Sequence, residues 1–345
     1  MKFNAYIRPL LSGYYKHYRQ PKQRLALVVG MLPWQDLVGD WVLESSHIQI
    51  QRHFDKRYFA TWLNPFIKRV NPVIYIWGYK APDYFIDYIR KQGLDIFFLE
   101  DGFIRSGPDE DSSAPPLSIV MDSQAPYFDT TRPNDLTEII ANFDFEQDGY
   151  DEVLAQEMLN YYISHRVSKY NHQPYVDVVP LYGVKSKKRI LVLGQVPHDD
   201  SLKYGGGIGI TLLDVVTQAI KENPEAQIIV KPHPMTLDDP SIVTALAELE
   251  CLILTQSIHL VDALETVDHV YTITSLGGFE ALLRGKKVTV LGRPFYYKLT
   301  TPNLCNTSSE ISKKNVLNIF IACITAYSTY YIGERIHQQN SDFQR

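Results

Sequence analysis

The sequence predicts an α/β protein built on two doubly wound parallel sheets, and three observations carry that expectation. Short apolar runs of strand length alternate with helical patterns between Leu25 and Leu291. The alternation stops over a polar, Pro- and Gly-containing stretch from Asn171 to Lys188, which reads as an interdomain linker, and restarts at Arg189. Polar residues also collect just after the strands, at the edge where open parallel sheets hold ligands. Two Rossmann-like domains facing across a cleft are therefore expected. The first covers 1–175 and the second 186–310, with a helical segment over 311–345 that packs back on the first.

Residues 1–24 are rich in Tyr, Lys and Arg, which fits either an amphipathic lead-in helix packed on its domain or a helix on an anionic membrane surface. Leu25–Val29 ahead of Gly30 is the first strand, with Trp34 and Trp41 packed nearby, and a helix within 57–69 stops at Asn71-Pro72. Val73–Ile76, Ile96–Leu99 and Leu117–Asp122 are further strands. Pro82 opens a helix that Gly93 ends, another is capped near Asn134 or Asp135, and 151–170 has helical spacing. In the second half the strands are 190–193, 227–230, 252–254, 269–273 and 288–291. The helices between them are 209–221, 241–248, 260–265 and 276–284.

Composition narrows the class. A chain of 345 residues with net charge −5 lacks the basic field that holds nucleic acid, so phosphate recognition has to come from local groups. Three scattered cysteines, Cys251, Cys305 and Cys323, make neither a disulfide framework nor a zinc site and fit a reducing cytoplasm. The first residues lack the pattern of a secretory signal, and the longest apolar run, Val316–Tyr327, is shorter than a membrane span and reads as a packed C-terminal helix.

Three strand ends carry the chemistry. Ile96–Leu99 empties into Glu100-Asp101-Gly102, two carboxylates and a close turn, although Asp-Gly is also a common turn dipeptide. Gln227–Val230 ends in Lys231-Pro232-His233-Pro234, where an ammonium and an imidazole on a stiff loop suit a phosphate ester. His269–Ile273 ends in Thr274-Ser275-Leu276-Gly277-Gly278-Phe279-Glu280, the start of a helix whose N–H groups suit an anion. Glu280 there either holds ribose hydroxyls or is a first-turn acid. The run from Gln195 through Asp199, Asp200 and Ser201 is a polar loop at a strand end that reads as a working site, and the Gly205-Gly206-Gly207-Ile208-Gly209 cluster beyond it reads as a mobile substrate-side loop. Neither a dinucleotide fingerprint nor a P-loop is present. Asp109-Glu110-Asp111 reads as a solvated acidic turn, and no obligatory metal is expected.

Taken together these pieces resemble the capsule-polysaccharide transferases that add 3-deoxy-D-manno-oct-2-ulosonic acid (Kdo) from CMP-Kdo. The matching stretches are Phe98–Ser106, Pro116–Ser118, Tyr127–Asp129 with Arg132-Pro133, Gln195 to Gly206, Val230–Pro234, Thr274–Leu283 and Pro294–Tyr296, in order over residues 73–297. The pairing of a Glu-Asp-Gly motif with a His-Pro motif is similar to that of CMP-sialic acid transferases. The resemblance implies a GT-B-type glycosyltransferase acting with retention, a β-Kdo product and no cofactor beyond the donor. It implies Asp199 as nucleophile, Glu100 and Asp101 as the acid/base pair, and Lys231, His233, Ser275 and Gly278 around the phosphate. Glu280 goes to the ribose, and Gln195, Ser201 and Tyr204 to the rest of the donor. The sugar carboxylate falls to Arg105, Lys203 and the backbone of Gly205 and Gly206. The implied partners are a nucleotide-sugar donor, a glycan or lipid-linked glycan acceptor, and the inner membrane or capsule assembly machinery, at the cytoplasmic face. Tyr297-Lys298-Leu299-Thr300 departs from the family's Ala-Gly-Trp-Gly. That departure bears on the acceptor or sugar contact of this loop and leaves open a non-catalytic partner in capsule assembly or export; a transferase for another CMP-nonulosonic acid or NDP-sugar donor is a separate alternative.

Overall fold

Strands covered on both faces are apolar throughout, and the apolar runs of this chain become the interiors of two sheets. The computed structural model describes residues 3–19, 24–31, 47–50, 53–106, 116–300, 316–332 and 335–337. Trp34, Trp41, Asp109-Glu110-Asp111 and Cys305 lie outside the described residues. The described strands, in chain order, are β1 (Ala26–Val29), β2 (His47–Ile50), β3 (Val73–Trp77), β4 (Ile96–Asp101), β5 (Ser118–Asp122) and β6 (Arg189–Leu193). They continue as β7 (Gln227–Lys231), β8 (Leu252–Ile253), β9 (His269–Thr272), β10 (Lys287–Val290), β11 (Ser328–Ile332) and β12 (Arg335–His337).

The chain divides into two compact units. One is formed by Met1–Ser106, Glu110–Pro126 and Tyr327–Asp342, the other chiefly by Tyr127–Ala326. This division differs from the expected 1–175, 186–310 and 311–345, because residues 127–175 cluster with the second sheet.

The first unit holds a seven-stranded sheet in the order β12-β11-β5-β4-β3-β1-β2. Alternate residues of β1 serve its two faces. Leu27 and Val29 join Ile74, Ile76, Phe66, Phe85 and Phe98 on one side, and Ala26 and Val28 join Trp77, Leu99 and Ile119 on the other. An all-parallel sheet was expected, but only β1 to β4 are parallel; β5 runs antiparallel to β4, and β11 antiparallel to β5. The chain turns back after Asp101, with Gly102 N–H donating to Ser118 O at 2.8 Å, instead of taking the long crossover a parallel neighbour needs.

The lead-in helix Phe3–Arg19 packs on this unit through Leu10 and Tyr14, whose ring meets Phe66 edge-on at 5.0 Å, while Lys16 Nζ donates to His47 O. The expected helix over 57–69 spans Lys56–Val70 with a π turn at Phe59–Leu63, and Asn71 closes it in the left-handed region. At the C-terminal end the expected helix is shorter than its apolar run: helical turns over 316–321 and a π turn at Ala322–Ala326 give way to β11. Tyr327, the last residue of that run, donates its hydroxyl to the fully buried Asp122 at 2.8 Å. Among the described residues no helix is long and apolar enough to cross a membrane.

The second unit holds a five-stranded, all-parallel sheet in the order β10-β9-β6-β7-β8. Ile190, Val192, Ile228, Val230 and Tyr271 pack under the helix Leu212–Glu222. The helix expected over 151–170 ends at Ser164, and the expected linker is a strap bound to this sheet. Gln173 donates to Ser257, Val176 N–H donates to Asp262, and the Tyr182 hydroxyl donates to Ala263 O. Arg189, 1% exposed, fixes the end of the strap by donating to the carbonyls of Tyr182 and Gly183 and to Gln227 and Thr266. A polar stretch reads as a linker from sequence because its partners are far away in the chain.

Candidate functional site

β6, β7 and β9 are neighbours in the five-stranded sheet, so the three polar segments that follow them share one edge. Asp199 caps the short helix Asp200–Tyr204, its Oδ1 accepting from Ser201 N–H at 2.7 Å; Oδ2 accepts no hydrogen bond among the described residues. Asp200 is the first residue of that helix and is exposed. His233 caps the turn Pro234–Leu237 by accepting Met235 N–H on Nδ1 at 3.2 Å, which places the proton of a neutral ring on Nε2. Burial, and secondarily the Lys231 ammonium, holds the imidazole below its ordinary pKa, with the Asp199 carboxylate opposing. The Lys231 ammonium is itself pushed down by burial and makes no ion pair or hydrogen bond among the described residues. A neutral N–H donor and a desolvated ammonium beside a half-open carboxylate are an arrangement able to receive an anion.

Several expected ligand residues brace this edge. The Gln195 amide donates to Thr274 Oγ1 at 2.9 Å and accepts Thr274 N–H at 2.7 Å, so the loop after β6 is tied to the loop after β9. Ser201 Oγ lies 3.3 Å from Gln195 Nε2 and 3.2 Å from Thr274 Oγ1. Tyr204 and Gly205 offer their carbonyls to Thr130 N–H and Arg293 N–H. Ser275 caps the helix Leu276–Leu283 by accepting Gly277 N–H. Gly278 is there for packing: a Cβ would lie 2.4 Å from the Tyr296 hydroxyl, which donates to Ser275 O. Gly206, with φ +71°, is exposed and keeps its backbone open to a ligand. Thr274 and Thr130 have no role in the sequence reading, although Thr274 opens one quoted stretch and Thr130 directly follows another; a hydroxyl beside Gly or aromatic residues was the available signal.

Glu280 is 3% exposed. Its Oε1 accepts Lys169 N–H at 3.1 Å, its Oε2 lies 3.8 Å from Arg284 Nη1, and burial pushes its pKa up. Arg284 also donates to Val167 O, and nearby Asp262 is fully buried between Arg166 and Val176 N–H. His259 donates Nε2–H to Tyr170 O at 2.9 Å while Nδ1 accepts Val261 N–H, and burial holds its pKa at about 4. Glu280 lies beyond the first turn of Leu276–Leu283, so it is not the first-turn acid the sequence allowed; it anchors the strap, and Oε2 is the oxygen it leaves without a hydrogen bond.

In the first unit, Glu100 and Asp101 end β4, paired with Val120 and Ile119 of β5. Asp101 Oδ2 accepts from Arg105 Nε at 3.2 Å, and its Oδ1 is buried without a hydrogen bond. Gly102 permits this turn, since a Cβ there would lie 2.2 Å from Ser118 Oγ, which donates to Ile104 O. Arg105, expected on the sugar carboxylate, is 3% exposed and serves Asp101.

A cavity of about 530 Å³ opens beside Asp199, lined by Leu193, Ile208, Ile210, Val215 and Ile242, with Lys203 also on its wall. Among the described residues no group of three or more His, Cys, Asp or Glu is placed to hold a metal ion.

The model of a family described as capsule polysaccharide biosynthesis protein matches residues 73–182 and 148–300. The chain is 35% identical over 255 residues to the lipopolysaccharide-processing protein LpsZ of Rhizobium meliloti, covering 72% of this chain and 57% of that protein. It is 34% identical over 256 residues to the capsule polysaccharide modification protein LipA of Neisseria meningitidis serogroup B, covering 70% of this chain and 36% of that protein. The matched region is thus little more than half of one relative and about a third of the other. Among solved structures the fold is similar to Thermosulfurimonas dismutans KpsC, beta Kdo 2,4 transferase. That match has a TM-score of 0.69 and 26% identity over 88% of this chain and 92% of that one. A second match, to the beta Kdo 2,7 transferase of the same organism's KpsC, has a TM-score of 0.62 and 26% identity over 92% and 97%.

Proposed function

The chain belongs to the capsule polysaccharide biosynthesis protein family, and on that premise we propose that it is a glycosyltransferase that moves Kdo from CMP-Kdo to a glycan or glycolipid acceptor with retention. The similarity to two β-Kdo transferases supports the sugar. One observation carries the chemistry: Lys231, neutral His233 and the open oxygen of Asp199 share one edge of the five-stranded sheet.

In this reading Asp199 Oδ2 attacks C2 of the donor, the C2–O bond to the phosphate breaks, and CMP leaves with the electron pair. Lys231 and His233 Nε2–H meet the charge on the departing phosphate, with Ser275 at the adjoining helix start. An acceptor hydroxyl then attacks C2 and displaces Asp199, passing its proton to Glu100 or Asp101; two displacements retain configuration. Glu280 Oε2 is the oxygen a ribose hydroxyl would use. Because Arg105 is engaged by Asp101, Lys203 and the Gly206 backbone are the better candidates for the sugar carboxylate.

Purified protein incubated with CMP-Kdo and a panel of acceptors, followed by mass spectrometry, should yield a product one Kdo heavier. The nucleotide is tested separately: CMP at 100 times its Kd should stabilise the protein by about 2.7 kcal/mol. Stabilisation by UDP or GDP in place of CMP would overturn the donor.

A further inference from the structure

We infer that Thr130 is a positioning residue whose hydroxyl bolts the Gly-rich loop after Asp199 to the Pro294-Phe295-Tyr296 loop. Thr130 N–H donates to Tyr204 O at 3.1 Å, and Thr130 Oγ1 donates to Arg293 O at 2.6 Å with Tyr204 O a second, longer contact at 3.4 Å. Arg293 N–H donates in turn to Gly205 O at 2.6 Å, so the three segments close a ring of hydrogen bonds. Rings reinforce it: Phe128 lies 6.3 Å from Tyr204 and Tyr127 lies 6.1 Å from Phe295, centroid to centroid.

The turn that presents Thr130 is stiff. Asp129 is fully buried, accepts from Thr131 N–H and Oγ1, and pairs with Arg132 Nε at 3.0 Å, while Asn134 donates to Asp129 O. A threonine on a rigid turn, donating into the segments that follow β6 and β10, sets where those segments stand. The loop from Asp199 to Gly206 carries the proposed nucleophile and the backbone assigned to the sugar, so slack there misplaces both. Thr130 acts through the loop and is assigned no contact with substrate. The kinetic part of this inference rests on the transferase reading; the structural part does not.

The test is Thr130→Val, which keeps the branched shape and removes the donor, with Thr130→Ser as its control. Hydrogen exchange on the full chain without donor should quicken about 2- to 10-fold in peptides covering 203–207 and 293–296, the factor that one lost hydrogen bond produces. Peptides covering β7 should not change, and serine should restore the wild-type rates. With CMP-Kdo and acceptor, kcat/KM should fall about 10- to 100-fold in the valine variant and recover in the serine variant. Unchanged exchange in both loops, equal acceleration in β7, or normal turnover despite loosened loops would overturn the inference. If wild type transfers nothing from CMP-Kdo, the transferase reading falls, and exchange alone decides whether Thr130 is the bolt.

Discussion

At the end of β4, Asp101 meets a partner four residues along the chain, Arg105, and the turn that holds both closes against the next strand. At the ends of β6, β7 and β9 the supports come from far away: Gln195 is tied to a residue 79 positions on, and Thr130 to one 163 positions on. The electrostatics differ too, since the acid of the first unit is offset by a guanidinium, whereas Lys231 in the second has no anionic partner among the described residues. In the proposed reading, Asp101 keeps its counter-charge beside it. A phosphate site has to leave its cation for the ligand.

The largest effect should come from Asp199→Asn, which keeps an oxygen to cap Ser201 N–H while removing the nucleophilic charge. Turnover should drop at least about 10³-fold with the melting temperature nearly unchanged. A comparable loss of stability would make Asp199 a cap and nothing more. Next comes His233→Ala, which should weaken CMP binding about 10- to 100-fold in titration calorimetry, the range for one hydrogen bond to a charged group, with the fold intact. Unchanged affinity would remove His233 from the phosphate.

Glu280→Ala sharpens the contrast between ligand group and anchor. It should raise the donor KM more than it lowers kcat, and lower the melting temperature by freeing Lys169 N–H and leaving Arg284 buried beside no acid. A loss confined to kcat would place Glu280 in the chemistry. The last effect is on pH. His259 and His269 are both held at about 4, mainly by burial, against an ordinary 6.5. Their folded values lie below the unfolded one, so the unfolded chain takes up protons first. Stability is complete above about pH 6.5 and declines as pH falls toward 4, by at most about 1.4 kcal/mol per pH unit for each histidine. Thermal melts of wild type and His269→Gln across this window should differ in slope.

The same contrast explains what was legible. Strands β1, β3, β4, β6, β7, β9 and β10 are short apolar runs with turn residues after them, and each was found to within about two residues, the uncertainty of boundaries in general. β2, with alternating burial, and the antiparallel pair β11 and β12 lack that pattern. The Glu100-Asp101-Gly102 turn is a local device and could be read directly. The bracing duties of Gln195, Ser201, Gly278 and Glu280 depend on Thr274, Tyr296 and Lys169, which adjacency in sequence does not pair with them.

The account turns on which carboxylate is the nucleophile. Intact-mass analysis of Glu100→Gln incubated with CMP-Kdo, with acceptor withheld, should show one added Kdo mass that peptide mapping places on Asp199. An adduct on Asp101, or full activity in Asp199→Ala, would contradict it.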